Sequence, residues 1–264
     1  MQEITSTKNP AVRKVSSLLT SPRERRREGL FVVEGPRMAA EIPTEFLRGL
    51  FLTEDFAAGA GGRDLLAKLS VPEGEVTLVT DEVMARMSGT EHPQGVLALV
   101  DAGAVRTAPS GDFPVVFLED VQDPGNLGTI IRTAEAAGIS AIYMTNGCAD
   151  ILSPKVVRST MGCLFRMPLI RLEGDDFYAE IGRQQKKGQR FVAAALGGTR
   201  PYDAIPYDEH TAFLIGNEGN GLSARALALA DEETIIPMEG AVESLNAAVA
   251  AAILMYEAAR QRRL

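Results

Sequence analysis

The stretch VVFLEDVQDPGNLGTIIRTAEAAG, residues 115–138, decides the fold class. Val115 to Val121 form an apolar run, rich in β-branched residues and short enough for a buried strand. DPGNLG then turns the chain, with proline and glycine supplying the turn geometry. A helix follows, with Ile130, Ile131, Ala134 and Ala137 on one side. A strand turning directly into a helix is the unit of an α/β sheet, and open α/β sheets place their ligands at such junctions. Asn126 stands near the mouth of the turn. Arg132 lies in the first turns of the helix, a good position for holding a phosphate or a carboxylate. A surface ion pair with Glu135 is the competing reading of that arginine.

Two further junctions lie downstream. The strand AFLI, residues 212–215, runs into GNEGNGLS, residues 216–223, where Gly216, Gly219 and Gly221 alternate with Asn217 and Glu218. The spacing is G-x-x-G-x-G. It is not the dinucleotide fingerprint, and no Lys-Ser/Thr pair makes a phosphate loop. By itself the segment reads as a glycine-rich turn carrying a solvated glutamate. The third junction begins with the strand ETIIPM, residues 233–238, and the loop EGAVES. Ser244 is the expected N-cap of a long helix that ends in Arg260, Arg262 and Arg263. Asn246 then falls inside the first turn. Three such junctions in one domain point to one composite site.

Working outward, Leu30 to Val100 alternates short apolar strands (LFVV, LFLT, VTLV, VLALV) with helical stretches at Pro36–Arg48, Arg63–Leu69 and Asp81–Met87. DAGAVRTAPSGDF, residues 101–113, is small, polar and proline-bearing, and reads as a linker. Alternation resumes from Val115 to the end. Periodicity alone therefore yields two α/β units, the second a doubly wound, mostly parallel sheet.

The chain has 264 residues, 45% hydrophobic and 23% charged, enough to bury a substantial core. No apolar run approaches a membrane span and no leader pattern opens the chain, so a cytoplasmic protein without a membrane partner is expected. Cys148 and Cys163 lack metal-ligand spacing and read as reduced and structural. No metal site is expected. The net charge of −8 argues against a polyanionic partner, but its distribution does not. Residues 1–37 carry a local balance of +4, concentrated at Arg23, Arg25, Arg26 and Arg27. Such a basic arm on an acidic body can grip phosphates, because local potential governs steering. A solvated helix end is the plain alternative.

In their order, the three junctions resemble the three motifs of the SpoU/TrmH family of RNA ribose 2'-O-methyltransferases in the SPOUT superfamily. Asn126 and Arg132 fit the first motif, Gly216 to Gly219 the second, and Ser244-Leu245-Asn246 the third. The resemblance covers about residues 112–264. A weaker likeness, through LFVVEGPRMAAEI (30–42) and HPQGVLALV (92–100), extends it to the N-terminus. It implies a small ribosomal-protein-like RNA-binding domain over residues 1–105, with the basic arm, ahead of a catalytic domain with a deep trefoil knot over residues 112–264. It also implies S-adenosyl-L-methionine as cofactor, RNA as partner and a homodimer through the C-terminal domain. Gly216, Asn217, Gly219, Ile236 and Leu245 would line the cofactor pocket. Arg132, Asn126, Glu218, Ser244 and Asn246 would form the catalytic group.

A guanidinium keeps its proton at accessible pH. Arg132 is therefore read as fixing a phosphate and stabilising a developing alkoxide, with Glu218 or a phosphate oxygen accepting the proton. Ribosomal RNA is favoured over transfer RNA because of the appended domain. An inactive RNA-binding module of the same fold is the main rival. A nucleotide-dependent oxidoreductase is a second rival, disfavoured by the missing fingerprint.

Overall fold

The computed structural model describes residues 2–71, 76–109, 111 and 114–263. Ser110, Asp112 and Phe113 of the expected linker lie outside the described residues. The chain forms two compact units, one of Met1–Val105 with Asp150–Phe165, the other of Arg106–Ala149 with Arg166–Leu264. The segment 150–165 thus packs with the first unit, although it lies in the stretch 112–264 that sequence reading assigns to the second.

The first unit opens with β1 (Gln2–Ile4), followed by α1 (Pro10–Thr20) and α2 (Pro22–Glu28). The basic N-terminal segment is therefore not a free arm. Asn9 caps α1 by accepting from the Ala11 amide at 2.8 Å, and Pro10 sits in the first turn, where its missing N–H costs nothing. Val12, Val15 and Leu18, spaced by three, bury one face in the core. Ser21 caps α2, which ends at Gly29.

Next come β2 (Leu30–Glu34), α3 (Pro36–Ala39), β3 (Leu47–Thr53), α4 (Glu54–Ala58), α5 (Ala60–Leu69), β4 (Val76–Val79), α6 (Asp81–Met87) and β5 (Val96–Asp101). The helix expected over Pro36–Arg48 is only one turn long. Pro43 interrupts it, and Leu47 already belongs to β3. The sheet runs β1-β4-β3-β5-β2, with β1, β4 and β3 mutually parallel and β5 antiparallel to β3 and β2.

In the second unit, β6 (Val115–Leu118) leads into α7 (Pro124–Ala136), followed by β7 (Ala141–Thr145). The chain then contributes α8 (Pro154–Thr160) to the first unit, where Val156 and Val157 are buried and the Phe165 ring lies 6.3 Å from that of Phe31. Back in the second unit come β8 (Leu169–Leu172), α9 (Asp175–Lys186), β9 (Arg190–Ala194) and β10 (Arg200–Pro201). They are followed by β11 (Thr211–Ile215), α10 (Ala224–Leu227), β12 (Glu232–Ile235) and α11 (Ala247–Gln261).

The seven strands of this second sheet run β10-β12-β9-β11-β6-β7-β8, and every pairing is parallel. Burial on both faces explains why β6 and β11 are continuous apolar runs. Phe117 anchors this core, stacked on Tyr143 at 4.5 Å and edge-on to Phe177 and Phe191. β6 and β11 are neighbours in register, Leu118 opposite Ile215, so the first two junctions leave the sheet side by side. α11 packs against α7 and β11, bringing the third junction to the same edge.

Candidate active site

Asp123 caps α7 by accepting from the Asn126 amide at 2.8 Å, and Pro124 occupies the first turn. This fixes Asn126 at the helix start. Its Nδ2 donates to Glu218 Oε1 at 2.8 Å, and its Oδ1 accepts from Asn246 Nδ2 at 2.9 Å. Asn246 is itself the N-cap of α11, its Oδ1 accepting from the Ala248 and Val249 amides at 2.9 and 3.2 Å. One hydrogen-bonded chain, Asn246 to Asn126 to Glu218, therefore ties the three junctions together.

Its direction is set by the backbone. The Asn246 oxygen is committed to N–H donors that cannot turn round, so its nitrogen must donate. Asn126 must then present oxygen to Asn246 and nitrogen to Glu218. The expectation that Ser244 caps α11 is corrected, because the helix starts later, at Ala247, and Ser244 lies in the exposed loop before it. The same observation explains the placement of Asn246.

The loop after β11 is closed by its own backbone. The Asn217 amide donates to the Gly221 carbonyl at 3.0 Å and the Gly221 amide donates back at 2.9 Å. Asn217 Oδ1 accepts from the Gly219 and Asn220 amides, and its Nδ2 donates to the Asp120 carbonyl at 2.8 Å. A Cβ on Gly216 would lie 2.2 Å from the Gly221 carbonyl carbon. Glycine is needed there for close backbone approach within the loop.

Beside this loop lies a cleft of about 440 Å³. Gly216, Asn217, Gly219, Ile236 and Leu245, the five expected cofactor residues, all line it, as do Glu218 and Ser244. Ile215, Leu222 and Ala247 add apolar surface, and Glu233 and Glu243 add carboxylates. Sequence reading misses Glu233, Glu243 and the Ala194–Gly197 turn after β9. The run FVAAALGG carries the signal for that turn, as a strand with glycines at its carboxyl end beside β11. The volume lies in the range of small-molecule sites. Apolar walls, exposed loop backbone and carboxylates suit a ligand with a flat heterocycle and a positive charge, and S-adenosylmethionine has both.

Arg132 and Asn126 do not line the cleft. Arg132 is exposed on α7, and among the described residues no hydrogen bond or ion pair holds its guanidinium. Among the described residues no ion pair joins it to Glu135, which pairs with Arg166 instead.

The four arginines of α2 divide. Arg25 is 3% exposed, donates to Asp150 Oδ2 at 2.7 Å and to the Leu18 carbonyl at 2.6 Å, and so belongs to the interior of the first unit. This corrects its expected role in RNA contact. Arg27 is exposed and paired with Glu24 and Glu28. Arg23 and Arg26 are not buried, with no hydrogen bond or ion pair among the described residues.

Fold and site together define a class of α/β protein whose parallel sheet carries a cleft of small-molecule size beside its second and third strand-to-helix junctions, with the first tied to them by hydrogen bonds. The profile of the SpoU rRNA Methylase family matches residues 114–256, and that of the MRM3-like substrate binding domain matches residues 9–98. The chain belongs to the SpoU methylase family. It is 32% identical over 259 residues to the 23S rRNA (guanosine(2553)-2'-O)-methyltransferase RlmP of Bacillus subtilis, covering 97% of this chain and 98% of the relative. It is also 32% identical to the 23S rRNA (uridine(2479)-2'-O)-methyltransferase of Streptomyces viridochromogenes, covering 97% and 94%. An AdoMet-bound rRNA methyltransferase from Sinorhizobium meliloti superposes with a TM-score of 0.81 at 30% identity, covering 98% of this chain and 97% of that one.

Proposed function

We propose that this protein transfers a methyl group from S-adenosylmethionine to a ribose 2'-hydroxyl of ribosomal RNA. The observation that carries the reading is the hydrogen-bonded chain from Asn246 through Asn126 to Glu218, set against a cleft lined by all five expected cofactor residues. The full-length similarity to two enzymes named for 23S rRNA favours ribosomal over transfer RNA.

When bound, the cofactor supplies an already activated methyl group. The chain's own residues must orient the hydroxyl and remove its proton. Asn126 holds one oxygen of Glu218, while Glu218 Oε2 has no hydrogen bond among the described residues and is left to accept a proton. A phosphate oxygen of the RNA is the second acceptor of suitable chemistry. A guanidinium is a poor base, so the role of Arg132 is to fix the adjacent phosphate and stabilise the developing alkoxide. Arg23 and Arg26 supply phosphate contacts from the first unit.

The same reading includes a homodimer through the second unit and a knotted chain path in it. Val249 and Tyr256, each 47% exposed, lie seven residues apart on one face of α11, as a helix covered by a second copy would have them. Sedimentation would report the dimer. The decisive experiment incubates the protein with labelled S-adenosylmethionine and ribosomal RNA from cells lacking it, then maps 2'-O-methyl sites. One modified ribose is expected. Cofactor binding without methylation of any RNA would leave the RNA-binding module as the better reading.

A further inference from the structure

The loop Gly216–Ser223 forms one wall of the cleft through Gly216–Leu222, and both of its ends are held by two consecutive residues that follow β6. At one end, Asn217 Nδ2 donates to the Asp120 carbonyl at 2.8 Å. At the other, the Ser223 amide donates to Glu119 Oε2 at 2.7 Å and Ser223 Oγ donates to Glu119 Oε1 at 2.8 Å. The Tyr178 hydroxyl donates to the same Oε1 at 2.7 Å. Glu119 is only 5% exposed. All three of these donors are neutral, and the Ser223 amide is a backbone group whose direction cannot change.

Glu119 is itself fixed. Its amide donates to the Ile215 carbonyl at 2.9 Å, continuing the ladder between β6 and β11. Asp120 has φ of 55°, a left-handed conformation uncommon for a residue with a side chain. Thr145 supports it, with Oγ1 accepting from the Asp120 amide at 2.9 Å and donating to Asp120 Oδ1 at 2.5 Å. This turn points the Glu119 side chain and the Asp120 carbonyl at opposite ends of one loop. Burial, and after it the hydrogen bond to Glu119, raises the pKa of the Tyr178 hydroxyl, which keeps it a donor to that carboxylate.

We infer that Glu119 is a positioning residue for cofactor binding, its buried carboxylate setting the shape of the Gly216–Ser223 wall through Ser223. This rests on the reading of the cleft as the S-adenosylmethionine site. Glu119 is neither among the cleft-lining residues nor in the Asn246–Asn126–Glu218 chain, and Glu218, although it stands in the same loop, is held separately by Asn126, so the effect of Glu119 should fall on affinity rather than on the transfer step. The substitution Glu119→Gln replaces one acceptor oxygen with an NH₂ group. That group must face either the fixed Ser223 N–H or the two hydroxyls, and facing the N–H sets two donors against each other.

The test measures S-adenosylmethionine affinity by calorimetry and single-turnover methyl transfer at saturating cofactor, for wild type, Glu119→Gln, Ser223→Ala and the double variant. The expected result for Glu119→Gln is a cofactor Kd raised at least about tenfold, with the transfer rate at saturation within about threefold of wild type. Ser223→Ala, which keeps the backbone donor but also removes the cap that Ser223 Oγ gives α10 through the Ala226 amide, should raise Kd by about threefold, and the two effects should be less than additive because the two residues share hydrogen bonds. A purely structural role would lower thermal stability and leave Kd unmoved, and that outcome in a folded Glu119→Gln protein overturns the inference. If Glu119→Gln does not fold, an unchanged Kd in Ser223→Ala overturns it equally. Failure of the wild type to bind S-adenosylmethionine would instead overturn the functional reading on which the inference rests.

Discussion

Asn246 donates to Asn126 across 2.9 Å with one end of its amide and caps α11 with the other. The two jobs are separable by chemistry. Aspartate caps a helix as well as asparagine does, and its charge suits a helix N-terminus, but it has no N–H to give. Asn246→Asp should therefore keep stability within about 0.5 kcal/mol of wild type. Asn246→Ala should lose about 1 kcal/mol with its cap. Both should slow methyl transfer about tenfold or more, since a hydrogen bond that orients a charged group is worth about 1.5–3 kcal/mol. Thermal unfolding and single-turnover rates check the two halves. An active Asn246→Asp enzyme would show that Asn246 serves α11 alone.

Gly216 sets a second test. A methyl group there meets the Gly221 carbonyl carbon at 2.2 Å and the Leu222 nitrogen at 2.3 Å. The obstruction is loop backbone, which cannot step aside as a side chain would. Gly216→Ala should cost about 1–3 kcal/mol of stability from overpacking, together with cofactor affinity, because the loop it displaces is the cleft wall. A variant with full stability and reduced affinity would point to a direct clash with the ligand instead.

How much of this can be read from the sequence depends on how local the signal is. All four strands expected between Leu30 and Val100 exist, because β-branched and aromatic runs bounded by turn residues report themselves. The three junctions are legible for the same reason, as glycines and amides directly after apolar runs. β1 is not, since Gln2–Ile4 is too short to show alternation and is a strand only through pairing with β4. Nor is the destination of PKVVRST, because Val156 and Val157 say that the helix is buried but not against which core. The start of α11 is ambiguous in sequence because Ser244 and Asn246 are both good caps, and the hydrogen bond to Asn126 is what favours the second. Glu119 gives no signal, as a charged residue at a strand end reads as solvated until the fold brings Ser223 and Tyr178 to it.

The arginines of α2 are distinguishable by burial. Arg25→Ala would strip Asp150 of its ion-pair partner, leaving it the Leu152 amide, and leave the Leu18 carbonyl without the Arg25 donor. Asp150 keeps 30% side-chain exposure, so the cost should be about 2 kcal/mol, below that of breaking a fully buried pair. Arg23→Gln with Arg26→Gln should leave stability within about 0.5 kcal/mol and weaken RNA binding. The slope of log affinity against log salt should fall by up to about 2, because each arginine that meets a phosphate displaces roughly one counterion. Unfolding curves and salt-dependent RNA titrations separate these outcomes. An unchanged salt slope in the double variant would remove α2 from the RNA surface.

Arg132 carries the sharpest prediction for the chemistry. It is exposed, has no hydrogen bond or ion pair among the described residues, and does not line the cleft beside Gly216. On the proposed function, a cation placed in this way would serve the RNA rather than the fold or the cofactor. Arg132→Ala should reduce methyl transfer by about 10²–10³-fold, the loss typical of one transition-state donor. S-adenosylmethionine affinity should stay within a few-fold of wild type, and thermal stability should not move. Arg132→Lys should rescue little, because an ammonium cannot reproduce the planar fork that grips a phosphate. The measurement is single-turnover transfer of labelled methyl to ribosomal RNA beside cofactor binding for each variant. Full activity in Arg132→Ala would remove Arg132 from the mechanism and leave Glu218, held by Asn126, as the residue to which the proton transfer must be traced.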